Sequence, residues 1–167
     1  MTSWNEFTTA APRISEIFAR RHRATGKLCI MATLRADGSP RISPLEPRIF
    51  EGELWLAGMP NTRKFGDLVR DPRFCLHTAT VDTQVTDGDA KLWGVVEDVM
   101  DRSLHQRIAQ DLFEETGFDI RGQEFDHCFR ADITSASSVE VGSEDGEDHM
   151  DVTIWELGQP ERVVRKH

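Results

Sequence analysis

The chain has 167 residues and a formal net charge of −9, from 20 Lys and Arg against 29 Asp and Glu. This length fits one domain, expected to span residues 1–167, whose core is large enough to need no disulfide or metal. The acidic charge repels phosphate backbones and so disfavours a nucleic-acid-binding protein.

The first part of the chain predicts one helix and three strands. Apolar residues recur at helical spacing between Pro12 and Gly26, which predicts the helix. Residues 27–34 are typical of a buried strand, and the following Asp37-Gly38 pair is typical of a tight hairpin turn. The return strand, residues 39–50, contains three prolines, so we expect it to be an edge, bulged or broken strand. A third strand is predicted at residues 53–58.

The middle of the chain alternates helices and strands. The helix predicted at 61–70 can be capped by Asn61 or Thr62. The helix that ends at Gly117 has apolar residues four positions apart. In chain order, the predicted elements are a helix at 61–70, a strand at 73–79, a polar loop at 82–89, a strand at 90–100 and a helix from Asp101 or Ser103 to Gly117.

The last part of the chain predicts two strands. Apolar residues alternate at 125–133 and again at 150–157, with an acidic turn at 143–149 between them. Residues 158–167 are polar and predict a loose tail. The total is six or seven strands and three helices with many hairpin-length connections. This pattern favours a mainly β protein, an antiparallel sheet or barrel with peripheral helices, over a parallel βαβ fold.

Composition narrows the location and the chemistry. No apolar run is long enough for a transmembrane helix, and the N-terminus lacks a signal-peptide layout, so we expect no membrane association. Cys29, Cys75 and Cys128 lie in apolar stretches, which is typical of reduced core residues in a cytoplasmic protein. The six histidines lack metal-chelating spacing, so no metal site is expected. Tyrosine is absent, which excludes a tyrosine proton donor.

A basic cluster stands where the helix at 61–70 begins. Thr62, Arg63 and Lys64 follow a strand and a turn directly. A helix start presents free N–H groups and a positive dipole end, so cations are unfavourable there unless an anion is bound. The cluster therefore indicates either a phosphate site or a solvated helix end.

Two other stretches are candidates for binding. The prolines within RISPLEPR, residues 41–48, free backbone groups that could bind the edge of a planar heterocycle, although an ordinary edge strand fits equally. Lys91 and Trp93 share one face of a strand, which is typical of a cofactor-lining surface, a subunit interface or a core. No side chain stands out as a catalytic acid or base.

Taken together, these segments resemble the pyridoxamine 5′-phosphate oxidase-like family of FMN-binding split barrels. The resemblance rests on CIMATLRADGSPRISPLEP, GELWLAG, NTRKFGDLVRDPRF and AKLWGVVEDV, and covers roughly residues 10–115. It implies an antiparallel split β-barrel, a homodimer with FMN at the interface, and an oxidoreductase that transfers a hydride to or from a small substrate.

The resemblance also implies positions for the cofactor. Arg63 and Lys64 would hold the phosphate, with Gly58 and Met59 beside it. The proline-marked strand would contact the ring and the ribityl chain through Arg41, Ser43, Pro44 and Leu45. Arg48 falls near the family's basic residue at the end of that strand. Lys91 and Trp93 would reach the cofactor from the partner subunit.

The choice of cofactor stays open at this point. The family includes proteins that use a deazaflavin coenzyme and others that bind haem, for which His77, His105 and His127 are candidate ligands. A non-catalytic flavin- or haem-binding protein, or a structural dimer without cofactor, is also compatible. The C-terminal TIWELGQPERVVRKH differs from the basic substrate-binding segment of the true oxidases, and Asp89 stands near the place of their glutamine. Vitamin B6 oxidation is therefore not implied.

Overall fold

The computed structural model describes residues 1–79 and 83–167, and in these residues it has four helices and nine strands. The helices are α1 (Trp4–Ala10), α2 (Pro12–Ala24), α3 (Arg63–Arg70) and α4 (Arg102–Thr116). The strands are β1 (Cys29–Leu34), β2 (Pro40–Leu45), β3 (Arg48–Phe50), β4 (Glu53–Leu56), β5 (Arg73–Thr78), β6 (Asp89–Asp98), β7 (Phe129–Glu144), β8 (Glu147–Glu156) and β9 (Arg162–Lys166).

The strands form one antiparallel sheet that curls on itself. Its main path runs β2-β1-β5-β6-β7-β4-β3, and β8 and β9 extend from β7. The two ends of this path, β2 and β3, are joined by only residues 46–47. Because so short a connection holds the two edges of the sheet together, the path closes into a barrel. The predicted mainly β, antiparallel split barrel with peripheral helices is confirmed.

Alternation along the strands sorts side chains into the barrel interior and its outward face. In β1, residues Cys29, Met31 and Thr33 are buried and their neighbours are half-buried. The main core continues beneath α1 and α2, where Trp4, Phe7 and Phe18 pack in a chain of tilted rings. A second cluster lies under α4 and centres on Trp55.

A β-bulge between β6 and β7 lies next to Trp93. The register shifts between Trp93 and Gly94, and a Cβ at position 94 would lie 1.9 Å from the Asp132 carbonyl oxygen. Only glycine fits this close backbone approach. The bulge therefore shifts the pairing of β6 with β7 by one residue directly after Trp93.

Within the described residues, the structure differs from the sequence-based expectation in three places. Helix α1 and strand β9 were not expected; the predicted loose tail at 158–167 is wrong over Arg162–Lys166, which pair with β8. Strand β7 continues to Glu144 and β8 begins at Glu147, so the acidic turn predicted at 143–149 is confined to residues 145–146. The proline-rich strand at 39–50 is broken at residues 46–47, one of the forms expected for it. The first residue of the predicted loop at 82–89, Asp82, lies outside the described residues.

Among the helices in the described ranges, none combines the length and the apolar character that crossing a bilayer requires.

Candidate functional site

The N-terminus of α3 is incompletely capped. Thr62 is the N-cap residue, but its side chain makes no capping hydrogen bond. The Thr62 Oγ1 atom is buried and has no partner in the described part of the chain. The backbone N–H groups of Phe65 and Gly66 reach back to the Thr62 carbonyl, at 3.2 Å each. The first turn therefore leaves a buried hydroxyl without a hydrogen-bond partner at the positive end of the helix dipole.

Two cations occupy the first turn of α3. Arg63 is exposed and pairs with no carboxylate in residues 1–79 and 83–167. Lys64 is half-buried, and its Nζ donates to the Pro44 carbonyl at 2.8 Å. Burial lowers the pKa of Lys64, and the charge of Glu46 opposes this only in part. Neither cation is neutralised by a direct ion pair among these residues, so the helix start carries net positive charge.

The structure brings several of the predicted site residues to this helix start. Pro44 lies there through its bond with Lys64. A Cβ built at Gly58 would lie 3.4 Å from the Phe65 ring and 3.8 Å from Leu45 Cδ1, so Gly58 and Leu45 flank the same turn. Met59, in the loop between Gly58 and α3, is 78% exposed.

Arg41 and Ser43 lie on the same face of β2 as Leu45. Ser43 is paired in register with Met31, and Arg41 with Thr33. The Arg41 Nε donates to Asp67 Oδ2 at 2.6 Å, so this arginine also reaches α3.

Arg48 is bound elsewhere. Its guanidinium forms ion pairs with Asp111 and with Glu115, the latter at 2.9 Å, both on α4. Its side chain is 11% exposed. The cation predicted for the end of the cofactor strand therefore fastens α4 to β3 within this chain, and its charge is compensated there.

Lys91 and Trp93 lie far from α3 within one chain. Both are on β6, three strands from β2 in the sheet order, which corresponds to about 14 Å at the usual strand spacing. Lys91 Nζ pairs with Asp89 Oδ1 at 2.7 Å. Their assignment to a cofactor site shared with a second subunit stays a prediction.

The three candidate haem ligands differ in which ring nitrogen is already hydrogen-bonded. His105 is buried and its Nε2 bonds to the Val99 carbonyl at 2.7 Å. His77 bonds through Nδ1 to the Thr78 carbonyl at 2.5 Å, and its Nε2 is 3.9 Å from Asp89.

His127 is held by Asp98 through Nδ1 at 2.7 Å and stacks on Phe129 with ring centroids 5.4 Å apart. Its Nε2 has no partner in the described ranges. Phe129 is paired with Leu56 at the end of the ladder, so His127 and Gly58 each lie two residues beyond that last pair.

Asp67 is a site residue that the sequence did not indicate. It is 4% exposed and accepts hydrogen bonds from Thr33, Arg41 and Arg70. In the sequence it is one polar residue in a short helix, and its partners on β1 and β2 lie 34 and 26 residues away. Only the helical spacing of four between Arg63 and Asp67 could have placed it on the face of the basic cluster.

The antiparallel barrel with its peripheral helices is a split-barrel fold, and the comparisons with known proteins agree. A family model described as pyridoxamine 5′-phosphate oxidase matches residues 18–132. The chain belongs to this family. No curated protein matches the sequence.

Solved structures share the fold at low identity. A pyridoxamine 5′-phosphate oxidase-related, FMN-binding protein from Nostoc punctiforme is 13% identical, with a TM-score of 0.66 over 94% of this chain and 96% of that one. A conserved hypothetical protein from Mycobacterium tuberculosis is 21% identical, with a TM-score of 0.57 over 67% and 76%. HutZ, the haem storage protein from Vibrio cholerae, is 19% identical, with a TM-score of 0.57 over 74% and 89%.

Proposed function

We propose that this chain is an FMN-binding oxidoreductase of its family that holds the cofactor phosphate at the N-terminus of α3. The observation that carries the proposal is the uncompensated helix start: a buried, unpartnered Thr62 hydroxyl beside Arg63 and Lys64, neither of which meets a carboxylate in the described residues. A phosphate dianion would satisfy all three groups and the helix dipole at once.

Different residues of the site match different parts of FMN. Arg63, Lys64 and the first-turn N–H groups of α3 would bind the phosphate. The backbone of Ser43–Leu45, on an edge strand and interrupted by Pro44, would orient the ring system. When bound, FMN supplies hydride transfer at its central ring, and the protein supplies binding, orientation and exclusion of water. The substrate proposed with it is a small molecule, as the family resemblance implies.

The first experiment is a titration of the purified protein with FMN, followed by flavin absorbance and fluorescence. Lys64→Ala should weaken FMN binding by about tenfold to a hundredfold, the loss that one charge-assisted hydrogen bond of about 1.5–3 kcal/mol predicts. Arg102→Ala, which removes a 74%-exposed cation on α4, is the matched control and should bind FMN like the wild type.

The proposal fails if neither FMN nor a deazaflavin coenzyme binds at micromolar concentration, or if Lys64→Ala leaves the binding unchanged. A deazaflavin preference would keep the phosphate site and change the cofactor. The oxidoreductase part is tested by reducing the bound flavin and measuring its reoxidation by candidate acceptors. An acceptor that reoxidises it faster than dissolved oxygen supports catalysis, and the absence of any such acceptor favours a flavin-storing protein.

Haem is the second candidate ligand, and His127 favours it. This imidazole has an unpartnered Nε2 in the described structure and a carboxylate partner on Nδ1, the arrangement that orients histidine ligands to metals. The similar protein from Vibrio cholerae is described as a haem storage protein. Added haemin would then give a Soret band that His127→Ala abolishes and Lys64→Ala leaves in place, the reverse of the result expected for FMN.

We also propose that the chain forms a homodimer through the outward face of β2, β1, β5 and β6. A row of side chains crosses this face in register: Ile42, Ala32, Cys75 and Trp93. Ile42 is 73% exposed. An apolar row on the solvent side of an antiparallel sheet is typical of a buried interface. The family resemblance supports a second copy of this chain as the partner, with Lys91 and Trp93 reaching the other subunit's cofactor.

A further inference from the structure

Asp67 is a buried carboxylate directly beneath the basic helix start. It accepts from Thr33 Oγ1 at 2.9 Å, from Arg41 Nε at 2.6 Å and from a terminal nitrogen of Arg70 at 3.3 Å. Burial alone would raise the pKa of Asp67, but these three hydrogen bonds lower it below its usual value. The Asp67 carboxylate is therefore ionised and accepts three hydrogen bonds.

The two arginines on Asp67 differ in what their remaining nitrogens do. Arg70 also donates to the Leu34 carbonyl, so it links α3 to the end of β1. Arg41 is held only through Nε, and neither of its terminal NH₂ groups has a partner in the described parts of the chain. Its side chain is 19% exposed. Arg41 thus has a fixed side chain with two free donors.

The contact with Asp67 places the Arg41 guanidinium beside the middle of α3. Arg63 and Asp67 are four residues apart and share one helix face, about 6 Å along the axis. A guanidinium bound at Asp67 therefore lies about one turn from the helix start. Two free NH₂ groups there form a planar fork of the kind that binds phosphate oxygens.

We infer that Asp67 is a positioning residue, which holds Arg41 by its Nε so that the two terminal NH₂ groups are presented to the cofactor phosphate. The inference rests on the proposed function. Thr33 completes the arrangement, because its hydroxyl supports the same Asp67 oxygen that Arg41 uses. Asp67 itself would not touch the ligand.

The test compares FMN with riboflavin, which has the same ring system and ribityl chain but no phosphate. Asp67→Asn replaces one acceptor oxygen by an N–H₂ group that cannot receive a guanidinium donor. We expect it to weaken FMN binding by about tenfold, as for other supporting partners of ligand-binding side chains, and to leave riboflavin binding unchanged. Asp71→Asn, which removes a carboxylate from the other end of α3 where it pairs with Arg73, is the control and should change neither.

Further variants separate positioning from folding. In an Arg41→Ala background, Asp67→Asn should cost no additional FMN affinity, because the group it positions has been removed. If Asp67→Asn does not fold, Thr33→Val removes a single donor from the network with little change in shape, and should still weaken FMN binding selectively.

Equal weakening of FMN and riboflavin, or no weakening of either, overturns the positioning role while leaving the proposed function intact. A wild-type protein that binds neither of these flavins nor a deazaflavin coenzyme overturns both.

Discussion

His22 is a titratable group buried in the core side of α2. Its side chain stacks on Phe18, and its Nε2 lies 2.7 Å from the Pro47 carbonyl oxygen, to which the neutral ring donates. Burial lowers the pKa of His22, and the hydrogen bond to Pro47 offsets this only in part. The ring is therefore held neutral in the folded chain, while in the unfolded chain it titrates near its ordinary value of about 6.5.

This difference predicts an acid-sensitive contribution to stability. Because the folded-state pKa is the lower one, the unfolded chain binds the proton first as the pH falls. The stabilisation is complete above about pH 6.5 and is lost as the pH falls toward the folded-state pKa, by at most about 1.4 kcal/mol per pH unit for one proton. In thermal melts, the melting temperature should fall as the pH is lowered from about 7.5 to about 5, a range that brackets the ordinary histidine pKa. His22→Gln, which can still donate to Pro47, should flatten the profile; an unchanged profile would contradict the assignment.

The site residues show which contacts a sequence can predict. Arg63 and Lys64 were found from local physics, because a cation in the first turn of a helix is unfavourable without an anion. The ion pairs of Arg41 and Arg48 were not, since their partners lie 26 and 63 residues away. The sequence alone therefore overestimates the positive charge of the site, because it does not show that Arg41 and Arg48 are paired with carboxylates in the folded chain.

At the scale of elements, the C-terminal segment caps a helix at the other end of the chain. The N-cap residue of α2 is Ala11, which has no capping side chain. Instead the Glu161 carboxylate accepts from the N–H groups of Arg13, at 3.2 Å, and Ile14, at 3.0 Å. The contact spans 147 residues, and it places a negative charge at the positive end of the helix.

Glu161→Ala should therefore destabilise the protein. Loss of a helix cap costs about 1 kcal/mol, which for a chain of this length lowers the melting temperature by about 2–4 °C. Glu124→Ala is the control, because Glu124 is 82% exposed and pairs only with an exposed arginine. If calorimetry gives the two variants the same melting temperature, the cap does not contribute as described.

The elements that the sequence did not predict are those stabilised by distant partners. Strand β9 is short and polar, and it forms because β8 offers a free edge and Glu161 anchors its start on α2. The second half of β7 is rich in serine, and its ladders with β6 and β8 hold it extended. Helix α1 is the exception: Ser3 and Glu6 form a capping box that was readable in the sequence. The barrel strands, by contrast, carry their own alternation and turns, so they were predicted.

Across the whole molecule, carboxylates outnumber Lys and Arg by 29 to 20. In such a chain most cations find an acidic partner, as Arg13, Arg48 and Arg165 do. The start of α3 departs from this rule. An acidic surface with an under-compensated cationic helix turn repels polyanions and accepts a small anion such as a mononucleotide. The global charge and the local site thus favour the same class of ligand.

The outward face of the barrel carries the last prediction, which concerns the assembled molecule. Ile42 is 73% exposed and lies in the apolar row that ends at Trp93, so a charge placed there should not disturb the folded monomer. Within a dimer interface, however, the introduced charge would be buried without a partner, at a cost of about 2 kcal/mol or more, or roughly a thirtyfold weaker dimer. Ile42→Lys should therefore shift sedimentation from dimer to monomer with an unchanged melting profile at low concentration.

Val163→Lys is the matched control, because Val163 is an exposed apolar residue on β9, away from this face. It should sediment like the wild type. FMN affinity provides a second readout: if the site needs Lys91 or Trp93 from the other subunit, Ile42→Lys should weaken FMN binding at protein concentrations where it is monomeric and restore it where the dimer re-forms. A wild-type chain that stays monomeric at concentrations on the order of tens of micromolar would contradict the interface. A monomer that binds FMN at full affinity would place the whole cofactor site within one chain.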